Sequence, residues 1–150
     1  MVLDPTLLLD QKDYELIISQ DKNKSEYIFV YMLEYSVELV KYCNRFNNER
    51  KIKIIYIANN KFSGIKGENV FGIGPDKFLK YIKEAKYIIT NSFHATVFSI
   101  IFNKKFVTFT TKHSSSRMVD LLDKLGISER IYNENFNIDK DIDYDMVQKN

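Results

Sequence analysis

A single cysteine, Cys43, is all the thiol this chain of 150 residues carries. No internal disulfide framework and no Cys-cluster zinc site can be built from it. The two histidines, His94 and His113, have no ligand spacing with each other or with Cys43. A metal enzyme is therefore disfavoured, and neither metal nor cofactor is expected. No stretch approaches the roughly 18 uninterrupted apolar residues of a membrane span. The opening Met1-Val2-Leu3 runs straight into Asp4-Pro5 without the basic segment of an export signal, so a cytoplasmic location is expected. Arginine is scarce (Arg45, Arg50, Arg117 and Arg130), and a net charge of +2 is too small to point to nucleic acid. What remains is 45% apolar and 28% charged, enough for a proper core. That excludes a disordered tail, a collagen-like repeat and a small stapled scaffold. Residues 1–150 are the right length for a single domain, alone or within a larger enzyme.

Two hydrophobic periods alternate along the chain. Leu7-Leu8-Leu9 leads to Asp10, placed to cap a short amphipathic turn through Tyr14, Leu16, Ile17 and Ile18. Tyr27–Leu33 is a continuous β-branched and aromatic run, as expected of a strand buried on both faces. Ser36 can cap a helix with Val37, Leu39, Val40 and Cys43 on one stripe, ended by Asn47-Asn48. Ile52–Ile57 reads as a second strand. A loop containing Gly64, Gly67, Gly72 and Gly74 follows, and Pro75 suits the first position of the next helix. Tyr87–Ile89, a helix capped by Ser92, Phe106–Phe109 and a helix from Met118 to Leu125 repeat the rhythm, with Gly126 at a C′ position. Ile131-Tyr132 reads as a short last strand and Tyr144–Val147 as a final short helix. Strand and helix alternating through short connections predict a Rossmann-like α/β domain: a parallel sheet with helices on both faces.

Such a sheet sends every strand-to-helix loop to its carboxyl edge, where ligands meet helix N-termini. Four loops converge there: Glu34–Ser36, Asn59–Gly74, Thr90–His94 and Thr110–Arg117. They carry both histidines, Lys112, Arg117 and the hydroxyls of Ser114, Ser115 and Ser116, a donor-rich cationic edge that suits an anionic ligand. Within Thr90–Thr96, Ser92 sits at an N-cap and His94 in the first helical turn. An imidazole there can donate to an oxyanion or exchange a proton. Equally, Ser92 can serve only as a cap and His94 can satisfy a loop carbonyl. Gly72 and Gly74 read as loop and helix-start residues with no phosphate duty.

The order of short segments resembles the polysaccharide pyruvyl transferase family from Asp4 to about Arg130. The matching segments are Asp4-Pro5-Thr6-Leu7-Leu8-Leu9, Tyr27–Leu33, Gly74–Leu79, Thr90–Ile100, Asn103–Phe106, Ser115–Met118 and Leu121–Gly126. The string Ser92-Phe93-His94 is the most specific of them. Two positions depart from the family pattern, Ala95 for Gly and Ser115 for Asn. The resemblance implies transfer of the pyruvyl unit of phosphoenolpyruvate to a sugar hydroxyl pair, forming a pyruvate ketal in a surface polysaccharide. It implies a glycan or lipid-linked sugar as acceptor. It also implies one half, the C-terminal one, of two Rossmann-like domains facing across a cleft as in GT-B glycosyltransferases. On that reading an N-terminal domain is missing and the isolated chain is inactive. His94 takes the acid–base or phosphate-binding role. Arg117 matches a basic residue that the family places about one loop after the histidine, and it suits bidentate contact to carboxylate or phosphate. Ser92, Ser116, Thr96 and Lys112 are the remaining substrate-binding candidates. Two alternatives stay open: a GT-B nucleotide-sugar glycosyltransferase domain, with Glu34 as the ribose-binding carboxylate, and a non-catalytic ligand-binding remnant.

Overall fold

The structure is a computed structural model that describes residues 26–59, 64–112 and 115–148. The Asp4–Leu9 segment, the turn capped by Asp10, His113 and Ser114 lie outside the described residues. Five strands form one sheet: β1 (Tyr27–Met32), β2 (Lys53–Ala58), β3 (Glu68–Asn69), β4 (Tyr87–Thr90) and β5 (Lys105–Thr108). They are ordered β3-β2-β1-β4-β5, and every pairing is parallel. The helices are α1 (Val37–Arg50), α2 (Pro75–Glu84), α3 (Phe93–Ile101), α4 (Ser115–Lys124) and the short α5 (Tyr144–Gln148). The Rossmann-like arrangement read from the hydrophobic periods is thus the one present.

Alternation of side chains along the strands divides the core. Ile28, Val30 and Ile89 pack with Leu39, Cys43 and Phe46 of α1 on one face. Tyr27, Phe29, Ile88 and Phe106 pack with Leu79 and Ile82 of α2, Val97 and Ile100 of α3, and Leu121 and Leu122 of α4 on the other. The chain moves one way from β1 to β2 and the other way from β4 to β5. Right-handed crossovers then place α1 and α3 on opposite faces. Between β1 and β4 the direction reverses, and a crevice opens at the carboxyl ends.

Local chemistry sets the boundaries. The Ser36 Oγ accepts from the Leu39 N–H at 3.2 Å, and Pro75 begins α2. Helix α1 does not stop at Asn47-Asn48. It runs to Arg50 and turns off at Lys51, in the left-handed region, while the Asn47 side chain donates to the Ile52 carbonyl at 2.6 Å. Val37 belongs to α1 but is exposed, and Leu33 lies past β1 in solvent. Gly126, at φ 73°, closes α4: its N–H reaches the Asp123 carbonyl and the Ile127 N–H reaches that of Leu122, the paired bonds of a Schellman cap. Ile131 makes only an isolated bridge to Thr108. The unforeseen strand is β3. A Cβ at Gly67 would sit 2.4 Å from the Ile54 carbonyl oxygen, so glycine is what lets the chain come down beside β2.

Beyond β5 the chain wraps the sheet. Tyr132, Phe136 and Ile138 cover the α1 face, whereas Ile142, Tyr144 and Val147 return to the other. Arg130 is 1% exposed and donates to the carbonyls of Phe106, Ile138 and Lys140, tying this segment to β5. Asp139 accepts from the Tyr87 hydroxyl at 2.7 Å and pairs with Arg50. The Arg50 guanidinium and then the Tyr87 hydroxyl hold its carboxyl below the ordinary carboxylate range. A depressed carboxylate stabilises the fold above its unfolded pKa and loses that contribution as pH falls through the folded value. Both side chains are more than a third exposed, which limits the effect to about 0.5–1 kcal/mol. Asp139→Asn should therefore lower stability to urea by that amount near pH ~7, and by much less near pH ~3. An equal loss at both pH values would show that the charge is not responsible.

Candidate functional site at the carboxyl edge

The segment Thr90-Asn91-Ser92 joins β4 to α3, and each of its side chains is buried and committed. The Thr90 Oγ1 donates to the Tyr31 carbonyl at 2.6 Å and accepts from the Ser92 N–H at 3.0 Å. Asn91 reaches across the crevice. Its Oδ1 accepts from the Leu33 N–H at 2.8 Å, and its Nδ2 donates to the Glu34 carbonyl at 2.6 Å. The loop after β1 is thereby fixed to the loop after β4. Sequence reasoning gave Thr90 and Asn91 no role, although both stand in the same string as Ser92 and His94.

Ser92 caps α3, its Oγ accepting from the Ala95 N–H at 3.3 Å. Thr96 is fully buried, and its hydroxyl donates to the Ser92 carbonyl at 2.8 Å and lies 3.0 Å from the Thr108 hydroxyl. From that place Thr96 supports the cap. Ala95 is also fully buried, part of the core on the α3 face, so its methyl adds nothing to the ligand edge. His94, by contrast, is exposed on the first turn of α3.

Phe93 links His94 to Arg117. Its ring is 8% exposed. The Arg117 guanidinium lies over it, with Cζ 4.1 Å from the ring centroid, and the His94 imidazole stands edge-on to it at 6.0 Å. A guanidinium stacked on an aromatic face keeps its N–H groups in its own plane, the geometry in which arginine meets carboxylate or phosphate. Ser116 and Arg117 are exposed in the first turn of α4, and Lys112 is exposed in the loop before it. The two residues of greatest weight in the sequence, His94 and Arg117, are therefore neighbours of one ring.

On the other side of His94 lies a cleft of about 520 Å³, lined by Ser92, His94, the ends of β1 and β2, and the turn 71–75. Gly72 and Gly74, read from the sequence as loop residues only, are part of its wall. Glu34 is exposed, and its carbonyl is held by Asn91.

The sequence model of the family described as polysaccharide pyruvyl transferase matches residues 1–113. The chain belongs to the polysaccharide pyruvyl transferase family. The matched stretch includes the whole Thr90–Ile100 segment and ends before Ser116 and Arg117, so the case for Arg117 rests on its stacking against Phe93. A search of curated proteins found no match. Among the described residues of this family member, no helix is long and apolar enough to cross a membrane.

The ring–guanidinium contact can be measured. A double-mutant cycle of Phe93→Leu and Arg117→Ala in urea unfolding should give a coupling of about 0.5–1 kcal/mol. Tyrosine at position 93 should preserve it. Zero coupling would mean that Arg117 is not held by the ring.

Proposed function

We propose that this domain transfers the pyruvyl unit of phosphoenolpyruvate to a pair of hydroxyls on a sugar of a surface polysaccharide. The observation that carries the reading is the placement of His94 and Arg117 about the Phe93 ring, within the family's most specific string and at the edge where parallel sheets bind ligands. Family membership supplies the pyruvyl transfer and the polysaccharide. In this reading a second domain faces the carboxyl edge and completes the site.

The chemistry sets the requirements. A proton delivered to the methylene carbon of phosphoenolpyruvate turns it into a methyl group and makes C2 electrophilic. One sugar hydroxyl adds at C2 and gives up its proton, and the C2–O bond to phosphate breaks. The second hydroxyl then adds to the same carbon and gives up its proton, closing the ketal; of the two hydroxyl protons, one replaces that delivered to the methylene carbon and the other balances the inorganic phosphate already released. The reaction calls for a group that exchanges protons near neutrality and for cations that hold carboxylate and phosphate. His94 is exposed where either proton exchange or phosphate binding is open to it. Arg117 offers a planar fork suited to carboxylate or phosphate. Ser92 and Thr96 set the start of α3 and so the position of His94. Lys112 and Ser116 add donors farther along the same edge. No glycine interrupts Leu33–Ser36, the loop after β1, and Leu33 and Tyr35 stand exposed in it. That loop gives a nucleotide pyrophosphate no glycine-rich cradle, which counts against the glycosyltransferase alternative.

Titration of the isotope-labelled chain with phosphoenolpyruvate tests the proposal. Resonances of His94 and Arg117 should shift, and binding should weaken as salt rises. Arg117→Ala should remove most of the affinity, whereas Lys124→Ala, at the far end of α4, should leave it nearly unchanged. Shifts that map away from both residues, or an Arg117→Ala variant that binds as well as the parent, would refute the site.

A further inference from the structure

We infer that the cleft beside His94 is the acceptor subsite and that it holds a neutral pyranose ring, with the anionic donor on the opposite, Arg117 side of the imidazole. The inference rests on the pyruvyl transfer reading and gives each of its two substrates a place. Its basis is a difference in charge and surface across one residue. On one side of His94 stands the guanidinium on Phe93. On the other, the described residues that line the cleft include no lysine, arginine, aspartate or glutamate. A trianionic donor in such a space would lose its hydration without gaining a countercharge. A sugar ring carries no charge to compensate.

The walls match the two kinds of surface a pyranose has. Tyr31, Phe71 and Phe78 bring aromatic rings, which take the C–H face of a sugar, and His94, beside the capping residue Ser92, stands at the wall formed by the start of α3. The volume falls in the ordinary range of small-molecule sites, ~300–1,000 Å³. Phe71 is the least covered of these rings, 59% exposed, yet its backbone is fixed. The Asn69 Oδ1 accepts from the Phe71 N–H at 3.0 Å, and the Asn69 Nδ2 donates to the Ala58 carbonyl at 3.1 Å, which ties the turn to the end of β2. Tyr31 and Phe78 pack edge to face, with centroids 5.2 Å apart, and form the floor behind it. Phe71 is thus an exposed aromatic side chain on an anchored turn, lining the same cleft as His94.

The test uses methyl glycosides of glucose, galactose and mannose as probes of the whole chain, with phosphoenolpyruvate titrated separately. At least one glycoside should give saturation transfer from the rings of Tyr31, Phe71 or Phe78, and should shift the amides of residues 71–74. Phe71→Ala should weaken it ~5-fold, and Phe71→Trp should restore it. Phosphoenolpyruvate should bind Phe71→Ala as it binds the parent. If no glycoside binds, or if Phe71→Ala binds one as well as the parent does, the acceptor assignment is wrong. The donor reading then stands or falls separately on the Arg117 titration. If phosphoenolpyruvate itself maps to residues 71–74, the division of the two substrates across His94 is overturned.

Discussion

The two hydrogen bonds of the Asn91 side chain hold the carboxyl edge together. The β1–β4 ladder ends with Tyr31 opposite Thr90, followed by one backbone bond from the Asn91 N–H to the Tyr31 carbonyl at 3.4 Å. Beyond it a buried carboxamide joins the two loops, accepting from Leu33 and donating to Glu34. One group satisfies a donor and an acceptor on the opposite loop, which a carboxamide can do and an ionised carboxylate, an acceptor only, cannot. Thr90 and Ser92 on either side add the next bonds, so the start of α3 is built on the end of β1 as well as on β4. His94 inherits its position from this arrangement.

Outward from that point the site divides by chemistry. Phe93 turns its ring to Arg117 on one side, and the cleft with its aromatic walls opens on the other. Thr96 and Thr108 pin α3 to β5 beneath the cap, and Thr108 also meets the Met118 sulfur of α4 at 2.8 Å. The loops that carry His94 and Arg117 are therefore tied through buried side chains as well as through the sheet. The C-terminal wrap acts on the same element from outside: Arg130 takes the Phe106 carbonyl, and the Tyr132 N–H reaches the Thr108 carbonyl. An edge strand covered in this way is closed to pairing with another chain.

What the sequence made legible follows from the length and period of each segment. Tyr27–Leu33 and Phe106–Phe109 are apolar runs with few other solutions, and the caps at Ser36 and Ser92 and the proline at 75 mark helix starts by known chemistry. Strand β3 was invisible because it is two polar residues on an exposed edge, with no alternation to detect. Asn47-Asn48 looked like a stop because asparagine is a poor helix former. Tertiary contacts of Phe46 with Tyr87 and of Arg50 with Asp139 carry α1 through it instead. At the site, His94 and Arg117 stood out by residue type and place, but their shared neighbour Phe93 did not, since a phenylalanine reads as core. The inward hydrogen bonds of Thr96 were equally hidden, since a threonine in a first helical turn reads as polar surface. The cleft could not be found at all, because its wall comes from three separate loops.

Leu33 offers the most direct measurement of the central claim, that a buried asparagine fixes the edge on which the site stands. Its side chain is 64% exposed and it lies beyond the end of β1, so an unassisted loop amide there would exchange with solvent quickly. Held by the Asn91 Oδ1, the Leu33 N–H should instead exchange as slowly as the amides of β1, and Asn91→Ala should release it while the amides of β5 stay protected. Rapid exchange of Leu33 in the parent chain, or unchanged protection in Asn91→Ala, would contradict the account.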